Sequence, residues 1–182
     1  TFFAGPQAFA KATGASGRDS MAVMIQQLAG QTYGDYFYPA ISGVGQSHNY
    51  YPYDRMKPEE GVAMIALGFG KTVVDGERCL RFSPRYPRVL PQLSTVDDML
   101  AFTQRYFYAL KMTGYPETLS FNTDSNLDRR ELADARDELP VVRLCSTYDP
   151  AEHRVRDTIG PGPRVLTFAS ILKYDIFPLP SV

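Results

Sequence analysis

The stretch GVAMIALGFGKTVVDGE, Gly61 to Glu77, decides how this chain is read. Its first half is apolar from Val62 to Leu67, short and bounded by glycines, which reads as a buried strand. Gly68 and Gly70 supply the turn that ends the strand, and Lys71 onward reads as one helical turn stopped at Gly76. Gly70-Lys71-Thr72 has the letters that close a phosphate-binding P-loop. That motif needs a glycine five residues before its Gly-Lys-Thr, so that consecutive N–H groups curl around the phosphates, and here Ile65 stands there. The stretch is therefore a strand and a tight turn.

Outward from this strand, short β-rich runs alternate with turn chemistry. MAVMIQQLA (21–29) and YFYPAISGVGQSHN (36–49) read as strands, and GQTYGD between them predicts a hairpin or adjacent antiparallel strands. RCLRFSP reads as a strand ended by Pro84. One long helix is predicted from Thr95 to about Met112. Ser94 or Thr95 caps it, Asp97 and Asp98 suit the positive end of its dipole, and Gly114 with Pro116 stops it. Val96, Met99, Leu100, Phe102, Phe107 and Leu110, with Tyr106 and Tyr108, give it a broad apolar face. ETLSFNT (117–123) and VVRLCSTY (141–148) read as strands, and DSNLDRRELADARDELP (124–140) as an exposed charged loop or helix. RVLTFASILKY reads as a strand or mixed segment, and GPQAFAKAT (5–13) as a short helix. Short turns forbid the crossovers of parallel pairs, so the expected class is α+β, a mainly antiparallel sheet with flanking helices.

The 182 residues suffice for one domain with a full core, or for part of a larger one. With 44% hydrophobic and 21% charged residues and a net charge of -1, nothing draws the chain to nucleic acid or to anionic membrane. No run approaches the roughly 20 apolar residues of a membrane span, and the N-terminus lacks a signal-peptide pattern. Cys79 and Cys145 stand alone in apolar runs, which reads as buried free thiols in a reducing compartment; a cytoplasmic location is expected. Beginning at Thr1 and finishing on an uncapped KYDIFPLPSV, the sequence is expected to be a piece of a longer protein.

Two histidines, His48 and His153, are too few for a multi-histidine metal site, and no G-x-S-x-G supports a serine hydrolase. His48 reads as a polar residue at a strand end, and Glu59 and Glu60 as a solvated turn. The tyrosines of NYYPYDRM (49–56) could stack a base, or pack over a sheet edge, the commoner use. In AISGVGQSHN, Ser42 followed by Gly43 at a break in a β segment puts a hydroxyl and open backbone N–H groups in one place, as a phosphate oxygen requires; a β-bulge has the same letters.

Taken together, MAVMIQQLAG, FYPAISGVGQSHNYYPYDRMKPEEGVAMIALGFGKTVVDGERCLRFSPRYP and GPRVLTFASILKYDIFPL resemble the nucleotide-binding (PEP/pyruvate-binding) domain of the pyruvate phosphate dikinase and phosphoenolpyruvate synthase family, an ATP-grasp fold. The order carries the resemblance: a V-x-I-Q strand, a turn, an S-G-V segment, an apolar strand ending G-x-G, a V-V-x-G turn and a strand ending near proline. It implies one partial ATP-grasp domain over 1–182, with core segments 21–87 and 161–179 and an elaboration at 88–160. It implies that Gln26 faces the nucleotide between the two ATP-grasp halves, and that Ser42, Gly43 and Val44 approach the phosphates. Gly68, Gly70 and Lys71 become a phosphate-proximal turn, although the family commonly carries an acidic residue where Lys71 stands. Implied cofactors are ATP and Mg2+, with the metal ligands outside this chain; implied partners are pyruvate or phosphoenolpyruvate and the remaining ATP-grasp subdomain, all through a full-length parent. The family's basic phosphate clamps lie upstream of Thr1 and its acidic metal-binding strand beyond Val182, so the chain alone is expected to be inactive and no catalytic residue is assigned. The alternatives are a non-catalytic ligand-binding or sensing module on an ATP-grasp half, and a generic α+β interaction domain.

Overall fold

Gly34 and Asp35 close the first hairpin, because Gly34 takes the positive φ of 57° that a two-residue link demands. Strand β1 (Gln31–Tyr33) thereby folds back on β2 (Tyr36–Tyr38), with Tyr33 opposite Tyr36. The turn falls where the sequence predicts one, but the strand before it is Gln-Thr-Tyr, residues expected within the turn. Of the strand expected at 21–29, the described residues 24–29 belong to no sheet and are exposed, as is most of the segment 24–30. The computed structural model describes residues 12, 24–114 and 126–174. The helix expected at 5–13, apart from Ala12, and the strand expected at 117–123 lie outside the described residues.

Beyond Tyr38 the run expected as one β segment is divided at Pro39, whose ring cannot continue a ladder, and resumes as β3 (Ser42–Gln46). β3 pairs antiparallel with β4 (Val62–Ala66), and β4 with β5 (Leu80–Phe82), giving a sheet in the order β3-β4-β5 with β3 at its edge. Between β4 and β5 runs the short helix α1 (Lys71–Val74), followed by Gly76 at φ 70°, as the sequence predicts.

The long helix expected at Thr95 to Met112 is the main correction. Helix α2 runs only over Val96–Phe102. Thr95 caps it as expected: its Oγ1 accepts the Asp98 N–H at 3.1 Å while the Asp98 carboxylate accepts the Thr95 N–H at 3.2 Å. The Thr103 hydroxyl donates to the Met99 carbonyl at 2.6 Å, and the chain turns extended there. It then forms strand β6 (Tyr106–Lys111), which pairs with β2 on one side and β7 (Leu127–Glu131) on the other. The physical reason is that Phe107, Tyr108 and Ala109 are buried on both faces of a central strand. A strand buried on both faces has the composition of a helix face, and the aromatic residues favour the strand.

β7 takes Leu-Asp-Arg-Arg-Glu from the segment expected as a loop or helix. Its charges are accommodated because Arg129 lies 4.0 Å from the Tyr106 ring and Arg130 3.9 Å from the Tyr36 ring. The run VVRLCSTY, expected as one strand, divides into helix α3 (Leu139–Leu144) and strand β8 (Cys145–Asp149). Pro140, in the first turn of α3, is preset for helix rather than strand. β8 is the centre of a third sheet, between β9 (Arg154–Arg156) and β10 (Arg164–Leu166), and the mixed segment ends in helix α4 (Ala169–Leu172).

All the pairings among the described residues are antiparallel, so the fold is α+β with antiparallel sheets and few helices. One apolar core joins the three sheets, with Tyr38 and Phe107 of the first, Leu67 and Leu80 around the second, and Cys145 and Leu166 of the third. Tyr38 donates its buried hydroxyl to Glu138, which also pairs with Arg130 at 2.9 Å. Among the described residues no helix is long and apolar enough to cross a membrane.

Candidate functional site

The apolar run of β4 places the glycines that follow it against two neighbouring elements. Gly68, at φ 80°, leaves β4, and its N–H donates to the Pro39 carbonyl at 3.2 Å. The next N–H, of Phe69, donates to the Tyr108 carbonyl on β6 at 2.9 Å. The turn is thus tied to β6 and to the chain just after β2 before α1 starts at Lys71.

Ser42, the first residue of β3, sits opposite Ala66 at the end of β4, which brings it beside this turn. A β carbon built on Gly70 would lie 3.9 Å from the Ser42 Oγ, so the serine hydroxyl faces the Gly70 backbone. That Oγ is buried and has no hydrogen-bond partner among the described residues, and the same holds for Thr72 Oγ1 two residues along the turn. Buried hydroxyls of this kind are uncommon, since each leaves a desolvated polar atom unpaired at a cost of about 1–3 kcal/mol. Gly43 is required by close packing: a β carbon there would meet the Met64 carbonyl oxygen at 2.4 Å. Val44, next along the edge strand, is 41% exposed.

The structure therefore brings Ser42, Gly43, Gly68, Gly70 and Lys71 to one corner, with Val44 on the open edge strand that leads from it. Gln26, by contrast, is exposed. It lies in the exposed segment 24–30, and no hydrogen bond among the described residues links it to Ser42 or to the turn.

Lys71 is exposed, but its ammonium is engaged. It pairs with the Asp75 carboxylate at 2.6 Å and lies 5.5 Å from the Tyr108 ring. The hydrogen bond from Lys71 to Asp75 holds the lysine's pKa above its ordinary value. Tyr108 in turn donates to Glu77 at 2.7 Å, and this bond raises the phenol's pKa. A lysine held by its own helix contributes less charge to a ligand than a free one. With the Gly68 and Phe69 N–H groups already bonded, the corner can offer hydroxyls and the backbone N–H groups that follow Phe69 to an oxyanion, with Lys71 only as a secondary cation.

The remaining residues singled out in the sequence do not join this corner. Glu60 pairs with Arg85 at 3.3 Å, and His48 lies against Tyr50 with ring centroids 4.7 Å apart. In the tyrosine loop, which lies beside β5, Tyr50, Tyr51 and Tyr53 are 74, 79 and 57% exposed. Asp54, inside that loop, takes a positive φ of 54°. Burial pushes the Cys145 thiol up to about 12, and raises Cys79 as well, which makes both poor nucleophiles at neutral pH. Among the described residues no three His, Cys, Asp or Glu side chains gather where they could hold a metal ion.

Sequence reasoning missed two features of the corner. The tie from Phe69 to Tyr108 depends on a strand that the helical pattern concealed, and the unpaired state of Ser42 and Thr72 has no sequence signal. No family model, curated protein or solved structure matches this chain.

Proposed function

We propose that this chain is part of the nucleotide-binding domain of an ATP-dependent phosphotransferase of the phosphoenolpyruvate synthase and pyruvate phosphate dikinase kind, built on an ATP-grasp half. The observation that carries the reading is the buried, unpartnered Ser42 hydroxyl facing the Gly68–Gly70 turn. A phosphate oxygen would satisfy that hydroxyl together with the N–H groups at the start of α1, from Gly70 and Lys71, those of Gly68 and Phe69 being already bonded. Ser42 and the turn would hold the phosphates of ATP, and Val44 on the open edge strand would lie alongside the nucleotide. The described residues supply no cage for a divalent cation, so the metal that accompanies ATP would be held by another part of the parent. Phosphoryl transfer to pyruvate requires that metal and further cations to neutralise the developing charge, and the role left to this chain is binding and orientation.

Calorimetric titration of ATP against the 182-residue chain tests the reading. Ser42→Ala should weaken binding about tenfold or more, the worth of one hydrogen bond to a charged group. Lys71→Gln should weaken it less than about threefold, since Asp75 already holds the ammonium. Equal effects of the two substitutions, or no effect of Ser42→Ala, would remove the ground for the proposal.

A further inference from the structure

A second pocket, of about 190 Å³, opens between the tyrosine loop and β5 and shares no residue with the Ser42 corner. Its floor is fixed by sheet register: Arg81 stands opposite Met64 and Phe82 opposite Ala63, and the Arg81 N–H donates to the Gln92 side chain at 2.8 Å. The loop above is pinned by Asn49, which is buried. The Asn49 N–H donates to the Pro58 carbonyl at 2.7 Å, and its Oδ1 accepts from the Tyr51 N–H at 3.1 Å and from Arg81 Nη2 at 2.6 Å.

Three features of this pocket are unspent by the fold. The half-buried Arg81 guanidinium has one neutral partner, and no ion pair among the described residues gives it a carboxylate. Withdrawing a cation from water without a counter-charge is costly, and guanidinium has five N–H donors to place. Ser83 lines the same pocket at 2% exposure, and its Oγ has no partner among the described residues. Tyr51 and Tyr53 are largely exposed where they border the opening, and the Tyr51 ring centroid lies 5.9 Å from the Arg81 guanidinium carbon. Val62, Phe82 and Val89 make much of the remaining wall apolar.

We propose that this pocket binds a small planar carboxylate. Arg81 would receive the carboxylate in the forked geometry that suits guanidinium, Ser83 would donate to it, and the flat body would lie between the Tyr51 ring and the apolar wall. A single guanidinium in a mainly apolar cavity matches one negative charge; a phosphate dianion calls for more donors than the pocket holds. The site is preorganised, because Asn49 fixes both the loop and the guanidinium before any ligand arrives. It is independent of the nucleotide reading.

Benzoate is the probe, titrated into the 182-residue chain while the Arg81 Nε–Hε and the Asn49, Tyr51 and Ser83 amides are followed by NMR. The expected result is saturable shifts at those groups with a Kd on the order of 1 mM, as suits a fragment of this size. Benzamide, uncharged, and inorganic phosphate, charged but not flat, should each bind at least about tenfold more weakly. Arg81→Gln should abolish the benzoate shifts, and Tyr51→Ala, at a side chain too exposed to threaten folding, should weaken binding about threefold or more. Absence of saturable shifts, equal binding of benzamide or phosphate, or full binding by folded Tyr51→Ala would each overturn the proposal.

Discussion

Replacing Gly68 by alanine probes how the corner is held. Gly68 sits at φ 80°, and a β carbon added there would lie 2.6 Å from the Tyr108 carbonyl oxygen and 2.9 Å from Phe107 Cδ2. Two costs add. The left-handed conformation costs an L-residue about 1–2 kcal/mol, and forcing a methyl into packed surroundings about 1–3 kcal/mol more. The carbonyl that must move is the one that accepts the Phe69 N–H, so relaxation of the clash loosens the tie between the turn and β6. The expected loss is about 2–5 kcal/mol, a large share of the roughly 5–15 kcal/mol that holds an ordinary domain together. Gly76→Ala is the control, with φ 70° and nothing within 4 Å of the added carbon, and should lose only the backbone part, about 1–2 kcal/mol. Urea unfolding followed by far-ultraviolet circular dichroism, extrapolated linearly to water, measures both. If the two alanine variants agree to within about 0.5 kcal/mol, close packing around Gly68 is not what holds the turn.

Two further substitutions test the core. Glu138→Ala should destabilise the chain by about 3 kcal/mol, because it leaves the Arg130 guanidinium, 11% exposed, without its carboxylate. Tyr38→Phe, which removes only the hydroxyl that donates to Glu138, should cost about 1 kcal/mol; equal losses in urea melts would contradict this ranking. Cys145 sets a pH dependence. Its folded pKa, pushed up to about 12 by burial, lies above the roughly 8.5 of an unfolded thiol, so the unfolded chain loses its proton first. Its contribution is complete below about pH 8.5 and fades as pH rises toward the folded value. Cys145→Ala should therefore flatten the fall in urea midpoint between about pH 8.5 and 10, and an unchanged slope would refute the assignment.

The features legible in the sequence were those with a local cause. The Gly61–Glu77 strand and turn, the stop at Gly76, the Thr95 cap and the antiparallel class follow from glycine, proline and capping chemistry within a few residues. The failures share a different cause. Tyr106–Lys111 became a strand because β2 and β7 offer it two edges, which no window of the chain itself shows, and Leu139–Leu144, opened by Pro140, became a helix packed on the core. At the corner, Ser42 and Gly68–Lys71 could be singled out by their letters. That Lys71 is spent on Asp75, that Ser42 lacks a partner among the described residues and that Gln26 is exposed are facts of three-dimensional placement. The tyrosine loop shows the same limit: its composition allowed packing or stacking, and the exposure of Tyr51 and its approach to Arg81 appear only in the folded chain.

Whether the unpaired Ser42 hydroxyl and the glycine turn beside it receive nucleotide phosphates is decided by titrating the 15N-labelled chain with a non-hydrolysable ATP analogue and magnesium, read at individual amides. Saturable shifts are expected at Ser42, Gly43, Gly68 and Gly70, lost in Ser42→Ala, while Arg81 and Tyr51 stay unmoved. Shifts absent from those four amides at saturating analogue, or confined to other parts of the chain, would contradict phosphate binding at this corner.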